Sequence, residues 1–417
     1  MIHEGMGKSQ TQTSYAGKPG RQYDFDVALT ARPTVLRARR LGKTTPDNAL
    51  GRSLLLDFDR AFGSTWRPCP RLEHLSREES SPGGGSFRTD LAVEAHEVLR
   101  QSMGPEIPGV NTRTDETDFG SITRVAITTE QAARALGKAM GNYITIDAPE
   151  LPLRDRELER EVSQALAREL VGLIRANLNN ADFWAIPNFT TLICGLGNWN
   201  ATPDAIGPLV AGKVMVTRHV YSMTPPEKRG GLKSAAAISP GVLGLTGIET
   251  AEVILGVVGR VRPNLVIVVD ALAARSVSRL GTTIQLGDTG IQPGSGVGNR
   301  RFGITRETLG VPVIAVGVPT VVHAMTIVAD ALSIMGQAPQ GISPEQQGGP
   351  HGIRDIAGGS ELPPAVSQML EPYLGTLIIT PKEVDVLAKE LSDVVAGGIN
   401  YALHPAIDEE EIYQYLQ

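Results

Sequence analysis

The chain predicts an α/β protein, with a mostly parallel sheet and helices on both faces. Three observations carry that expectation. From residue 130 onward, helix-period segments alternate with short apolar runs. The runs at 190–194, 265–269 and 313–317 are rich in β-branched residues, as strands buried on both faces are. The segments between and around them, 130–140, 154–178, 249–260, 321–335 and 383–395, space their apolar side chains along one helix face. Strands alternating with helices build a sheet covered on both sides, and ligands then bind beyond the carboxyl ends of its strands.

Composition sets the outer limits. With 417 residues, 20% charged, 41% apolar and a net charge of -6, the chain is globular rather than disordered throughout. No stretch approaches the ~18 apolar residues of a membrane span, and the first thirty residues lack a signal-like apolar region. Two cysteines, Cys69 and Cys194, are too few for a disulfide scaffold or a cysteine-rich zinc site, so a reducing cytoplasm is expected. Residues 1–87 carry 13 Lys and Arg against 9 Asp and Glu, and the rest of the chain 26 against 36. The first part has no periodicity and ends in Ser-Ser-Pro-Gly-Gly-Gly-Ser at 80–86, which reads as a poorly ordered extension with a flexible connector. Its basic group Arg37, Arg39, Arg40 and Lys43 reads as a solvated charge run rather than a nucleic-acid contact. Residues 88–417 then form the α/β domain, with 336–370, rich in Gly, Pro and Gln, as an inserted surface loop.

Two carboxylates stand where such a sheet would place chemistry. After the 190–194 run come Gly195, Gly197 and Asn198, then Thr202-Pro203-Asp204. After the 265–269 run comes Asp270, followed by Arg275 and Ser276. Each acid alone reads equally as a helix cap. Together they would project over one crest, and two neighbouring carboxylates cannot both ionise freely. One keeps a proton and polarises a carbonyl while the other accepts a proton from attacking water, the requirement of peptide hydrolysis. A glycine-dense segment comes next, with Asp288, Gly290, Gly294, Gly296, Gly298 and Asn299. Its backbone N–H groups suit a peptide or an anion, and Asp288 is a secondary acid candidate or a turn former. A dinucleotide fingerprint fails because Asn200 stands at the third glycine position. His96-Glu97 is followed by Arg100 where a zinc motif needs histidine, and no G-x-S-x-G elbow occurs. Cys194 and His219 read as structural, and a Ser/Lys dyad stays open.

These stretches resemble the spore germination protease family from about Arg88 to the C-terminus. The resemblance rests on Arg88-Thr-Asp-Leu-Ala-Val-Glu-Ala95, Gly195-Leu-Gly-Asn198 with Thr202-Pro-Asp-Ala205, and Pro240-Gly-Val-Leu-Gly-Leu-Thr-Gly-Ile-Glu-Thr250. It continues through Asp270-Ala-Leu-Ala-Ala-Arg-Ser276, Pro293-Gly-Ser-Gly-Val-Gly-Asn299, Gly317-Val-Pro-Thr-Val-Val322, Thr380-Pro-Lys-Glu-Val-Asp385 and Val395-Ala-Gly-Gly-Ile-Asn400. The resemblance implies a fold like that of hydrogenase maturation endopeptidases and an atypical acid protease whose two essential aspartates are Asp204 and Asp270. It further implies a self-processing zymogen cut between Asp90 and Leu91, with Asp90 as a helix cap the alternative. Small acid-soluble spore proteins are the implied substrates, in the forespore or spore core, with a homotetramer, no cofactor and no direct nucleic-acid partner. Two departures stand out. Family prosegments are much shorter than 90 residues, and His323 stands where the family has an acid in Val-Val-Asp-Ala. The 336–370 region also matches the family poorly. Two other readings compete: a hydrogenase-maturation-like endopeptidase that senses a metal in its client, and a non-catalytic anion- or nucleotide-binding module built on the glycine loops.

Overall fold

The computed structural model describes residues 89–104, 107–225, 229, 232–292, 302–336, 364–375 and 377–407. All belong to the second of the two units into which the chain divides, Glu73–Gln417. The expected extension 1–87 and nearly all of the expected 336–370 loop up to residue 363 lie outside the described residues.

The described chain begins with helix α1 (Ala92–Met103) and a meander of β1 (Val110–Thr117), β2 (Gly120–Ile127), helix α2 (Glu130–Leu136) and β3 (Gly141–Asp147). Helix α3 (Arg156–Asn177) leads to β4 (Thr190–Gly195), α4 (Ile206–Lys213), α5 (Arg218–Met223) and β5 (Ser234–Ile238). Then come α6 (Leu243–Thr246), α7 (Thr250–Val261), β6 (Leu265–Ala274), β7 (Thr283–Gly287), α8 (Arg306–Leu309) and β8 (Val313–His323). The chain closes with α9 (Ala324–Gly336), α10 (Pro364–Leu374), β9 (Ile378–Ile379) and α11 (Val384–Leu403).

One sheet runs β1-β2-β3-β7-β8-β6-β4-β5, with β9 added along β8. The expected parallel pairing is present in β5-β4-β6-β8. The other half is antiparallel, from β1 through β3 and β7 to β8, and so is the β8-β9 pair. The sheet is therefore mixed, and the antiparallel half escaped sequence reading because β1 is polar along most of its length, Val-Asn-Thr-Arg-Thr-Asp-Glu-Thr. Such a strand has no apolar run to announce it, and an antiparallel neighbour needs no crossover helix.

β6 and β8 also outrun their apolar cores. Residues 321–323, expected to open a helix, instead end β8, where Val321 and Val322 pair with Ala273 and Ala274. The alanines of β6 are good helix formers, but pairing with β8 overrides that weak preference.

Helices cover both faces, as expected. On one face α3, α4 and α11 bury Leu166, Leu170, Ile174, Val210, Val395 and Ile399 against Ile193, Ile267, Val269, Ile314 and Val316. On the other, α7 sets Ile254 and Val258 over Leu192, Cys194, Val266 and Val268. Burial pushes the Cys194 thiol up to about 12, which keeps it protonated and places it in the core rather than in a nucleophilic role. No helix among the described residues is long and apolar enough to cross a membrane.

His404, at the end of α11, is 1% exposed. Burial pushes its imidazole from 6.5 down to about 4. As pH falls from 6.5 toward 4, the unfolded chain takes up a proton that the folded chain refuses, so stability drops by on the order of 3 kcal/mol. His404→Phe removes that loss. Urea unfolding of both proteins at steps from pH 7 to pH 4 measures it, and two stability curves that stay parallel would contradict the assignment.

Candidate active site

β4 lies between β5 and β6, so the chain leaves it toward one neighbour and returns on its other side. In α/β sheets this reversal opens a crevice at the strands' carboxyl ends. Asp204 and Asp270 both belong to it.

Asp204 closes a 3-10 turn, Thr202–Asp204, just before α4, whose N-cap position belongs to Ala205. Its Oδ2 instead accepts the backbone N–H of Asn198 at 2.8 Å. The loop closes this tightly because Gly197 has φ +112°, and a Cβ there would stand 2.0 Å from the Asp204 carbonyl oxygen. Asn198 braces the loop from within by accepting from Asn200 N at 2.9 Å. Thr320 of β8 fixes the turn from below, its hydroxyl donating to the Pro203 carbonyl at 2.6 Å. Gly195 ends β4 beneath this loop.

Asp270 does not follow its strand, as the sequence suggested, but sits within β6 and pairs in register with Gly317 of β8. It is 7% exposed, and its Oδ1 accepts the Ala271 N–H at 2.9 Å. Burial raises its carboxyl well above the usual carboxylate range, and the charges of Asp204 and then Asp90 push the same way. Among the neighbouring charges, Asp204 acts on Asp270 most strongly.

The third acid arrives with the segment 89–92. Asp90 pairs with β6 through its backbone, donating to the Ala273 carbonyl at 2.8 Å, while its Oδ2 accepts from Ala273 N at 2.8 Å. The helix-cap reading of Asp90 is thereby corrected, since the N-cap position of α1 belongs to Leu91. Leu91 is fully buried among Val93, Leu272, Ala274, Leu280 and Val322. Lys138 Nζ donates to the Thr89 carbonyl at 2.9 Å. Gln285 of β7 bridges the Asp90–Leu91 junction: Nε2 donates to the Asp90 carbonyl at 3.1 Å and Oε1 accepts from Ala92 N at 2.7 Å. Glu94 anchors the first turn of α1 by accepting the N–H groups of Arg275 and Ser276 at 2.6 and 2.8 Å.

The remaining candidates divide. Arg275 directly follows β6, tied to α1 through its backbone. Asp288 stands apart from the carboxylate group: both its oxygens accept from Asn142, at 2.7 Å each, so it fastens the end of β7 to β3. His323 ends β8 and is buried, paired with Ile378 of β9. Gly296, Gly298 and Asn299 lie outside the described residues. Among the described residues, no group of three or more His, Cys, Asp or Glu is arranged to hold a metal ion. Sequence reading passed over Gln285, Lys138 and Glu94. For Gln285 a signal existed, a polar side chain in the middle of a short strand whose five residues are all buried.

Comparison with known proteins bears on the same residues. The germination protease family model matches residues 89–338 and 358–416, beginning at the segment that pairs with β6 at Ala273. The germination protease of Caldanaerobacter subterraneus subsp. tengcongensis is 46% identical over 331 residues, 79% of this chain and 98% of that protein. Those of Clostridium tetani and Bacillus cereus are 41% and 39% identical, covering 99% and 97% of their own lengths and 79% of this chain. Among solved structures, a nickel-iron hydrogenase maturation protease from Thermococcus kodakarensis matches 52% of this chain and 96% of its own, at 16% identity and a TM-score of 0.26, too low to speak for a shared topology. The family match spans the whole described sheet and both carboxylate motifs, and so the chain belongs to the germination protease family and is a germination endopeptidase.

Proposed function

We propose that the chain starts the breakdown of small acid-soluble spore proteins in the spore core, after removing its own N-terminal segment between Asp90 and Leu91. The observation that carries this reading is the buried Asp270, its carboxyl raised by burial and by the charges of Asp204 and Asp90, with Asp90 paired to Ala273 of the same strand. In the reaction, Asp204 takes a proton from water as the water attacks the scissile carbonyl. Asp270, protonated, hydrogen-bonds that carbonyl and then gives its proton to the leaving amine. Mild acid is the working range, because the pair must share one proton. Assembly as a homotetramer rests on the family resemblance alone.

Two incubations test the proposal. Full-length protein held at mildly acidic pH is expected to yield a new N-terminus at Leu91 by intact mass. Added purified small acid-soluble spore protein is expected to break into fragments that end in an acidic residue. An intact chain, or cuts confined to other sites, would overturn the zymogen assignment, and an untouched spore protein would overturn the substrate.

A further inference from the structure

We infer that Gln285 is a catalytic residue of this protease, the amide that grips the scissile peptide and stabilises its carbonyl oxygen as negative charge develops there. The inference rests on the proposed function, in which Asp90–Leu91 is the bond cut by Asp204 and Asp270.

The sheet itself sets up the arrangement. Asp270 of β6 pairs with Gly317 of β8, and Gly317 pairs with Gln285 of β7. Residues in register on adjacent strands present side chains to the same face, so Asp270 and Gln285 flank Gly317 on one side of the sheet, about 10 Å apart at the backbone, two strand spacings. The middle position carries no side chain: a Cβ on Gly317 would stand 2.3 Å from Leu272 Cδ1. The space over Gly317 is filled instead by the Leu272 side chain, which belongs to the same apolar cluster as Leu91 of the peptide.

Gln285 meets that peptide at two points. Its Nε2 donates to the carbonyl of Asp90 and its Oε1 accepts the N–H of Ala92. A side-chain amide that joins a C=O to the N–H two residues on acts as a neighbouring strand would, reading backbone and ignoring side chains. It also settles which end of the amide faces the carbonyl, because the Ala92 N–H requires an oxygen. The donor is thus fixed on the atom that becomes an oxyanion when water adds. Gln285 is 9% exposed, and in such a site a hydrogen bond to developing charge counts for more than in water. Asp270 and Gln285 then divide the carbonyl's electrostatic demand. A protonated acid gives up its proton later in the reaction, whereas an amide holds its own throughout. The charged groups around this peptide are Asp90, Glu94, Lys138, Asp204 and Asp270, and the neutral amide of Gln285 adds no titration of its own.

The test follows first-order self-cleavage of the full-length chain by intact mass. It compares wild type with Gln285→Met, Gln285→Glu, Asp204→Asn and Asp270→Asn. Gln285→Met is expected to slow the cut about 100-fold or more, the usual cost of one oxyanion donor. Gln285→Glu is isosteric, so it guards against a folding artefact. Protonated, it offers the same donor and acceptor, and its rate relative to wild type is expected to be highest at the acid end and to collapse as the new carboxylate ionises. A Gln285→Met protein that is folded by circular dichroism and cuts at the wild-type rate would overturn the inference, as would a Gln285→Glu/wild-type ratio that does not change with pH. If both aspartate variants still cut at Asp90–Leu91, or wild type does not cut there, the reading of the site fails instead and the role of Gln285 falls with it.

Discussion

Asp204→Asn and Asp270→Asn are each expected to reduce peptide cleavage by about 10²–10⁴-fold, the usual contribution of a positioned acid or base, while the fold persists. The two losses have different causes. An asparagine in place of Asp204 would still accept the Asn198 N–H that holds the turn, but it cannot take a proton from water. An asparagine in place of Asp270 would still accept from Ala271 N and can donate a weak hydrogen bond to a carbonyl, but it cannot deliver a proton to the leaving amine. Wild-type activity is expected to fall at high pH as the pair loses its last proton and at low pH as the pair becomes fully protonated, giving a bell. Both limbs belong to the pair, so each single variant is expected to erase the bell rather than shift one side. Steady-state cleavage of a peptide spanning Thr89-Asp-Leu-Ala across pH 4–8 measures this, and full activity in either variant excludes the paired mechanism.

Asp270→Asn carries a second, opposite signature in stability. Because the folded chain holds the Asp270 proton more tightly than the unfolded chain does, stability is fully present below the unfolded carboxylate range and is lost as pH rises toward the raised folded value. The cost is about 1.4 kcal/mol for every tenfold increase in proton affinity. Asparagine carries no such cost. The variant is therefore expected to melt above wild type at neutral pH, with the gap closing as pH falls toward 4. A protein that is less active yet more stable is the mark of a strained catalytic acid rather than of a structural one.

How far the sequence reached depends on what kind of signal each element carries. The strands at 190–194, 265–269 and 313–317 were legible because a strand buried on both faces must be a short apolar run. β1, exposed along most of its length, had nothing to announce it. Asp204 and Asp270 stood out in the sequence because acids near the ends of such runs are few. Their setting did not. The cap role suggested for Asp270 gives way to a position inside β6, because pairing with β8 to Val322 extends both strands beyond their valines. Gln285 stood out only as a polar residue in a short strand and Glu94 not at all, and what each one binds was illegible for a different reason. Their importance comes from partners 195 and 182 positions away, Asp90 and Ser276, and no local pattern encodes a contact that distant.

Glu94→Leu is expected to cost about 3–5 kcal/mol, the range for removing one partner from a buried charged network, and to slow self-cleavage as a consequence. Glu94 is 2% exposed and accepts from two successive backbone N–H groups, Arg275 and Ser276, as well as from the Thr89 hydroxyl. Arg279 Nε lies 3.5 Å from it, and the same guanidinium pairs with Asp147 at 2.7 Å and Glu97 at 2.8 Å. Leucine would strand both N–H groups away from water and leave Arg279 with two of its three carboxylates. Glu94→Gln keeps an acceptor for one N–H and should lose less than half as much. The functional consequence comes from position. Glu94 ties the first turn of α1 to the end of β6, three residues beyond the buried Leu91, so it helps to hold the Asp90–Leu91 segment along β6. Urea unfolding at pH 7 reads the first effect and the self-cleavage rate under native conditions reads the second. If Glu94→Leu lost stability but kept the wild-type rate, the bond would be held in place by Asp90 and Gln285 alone.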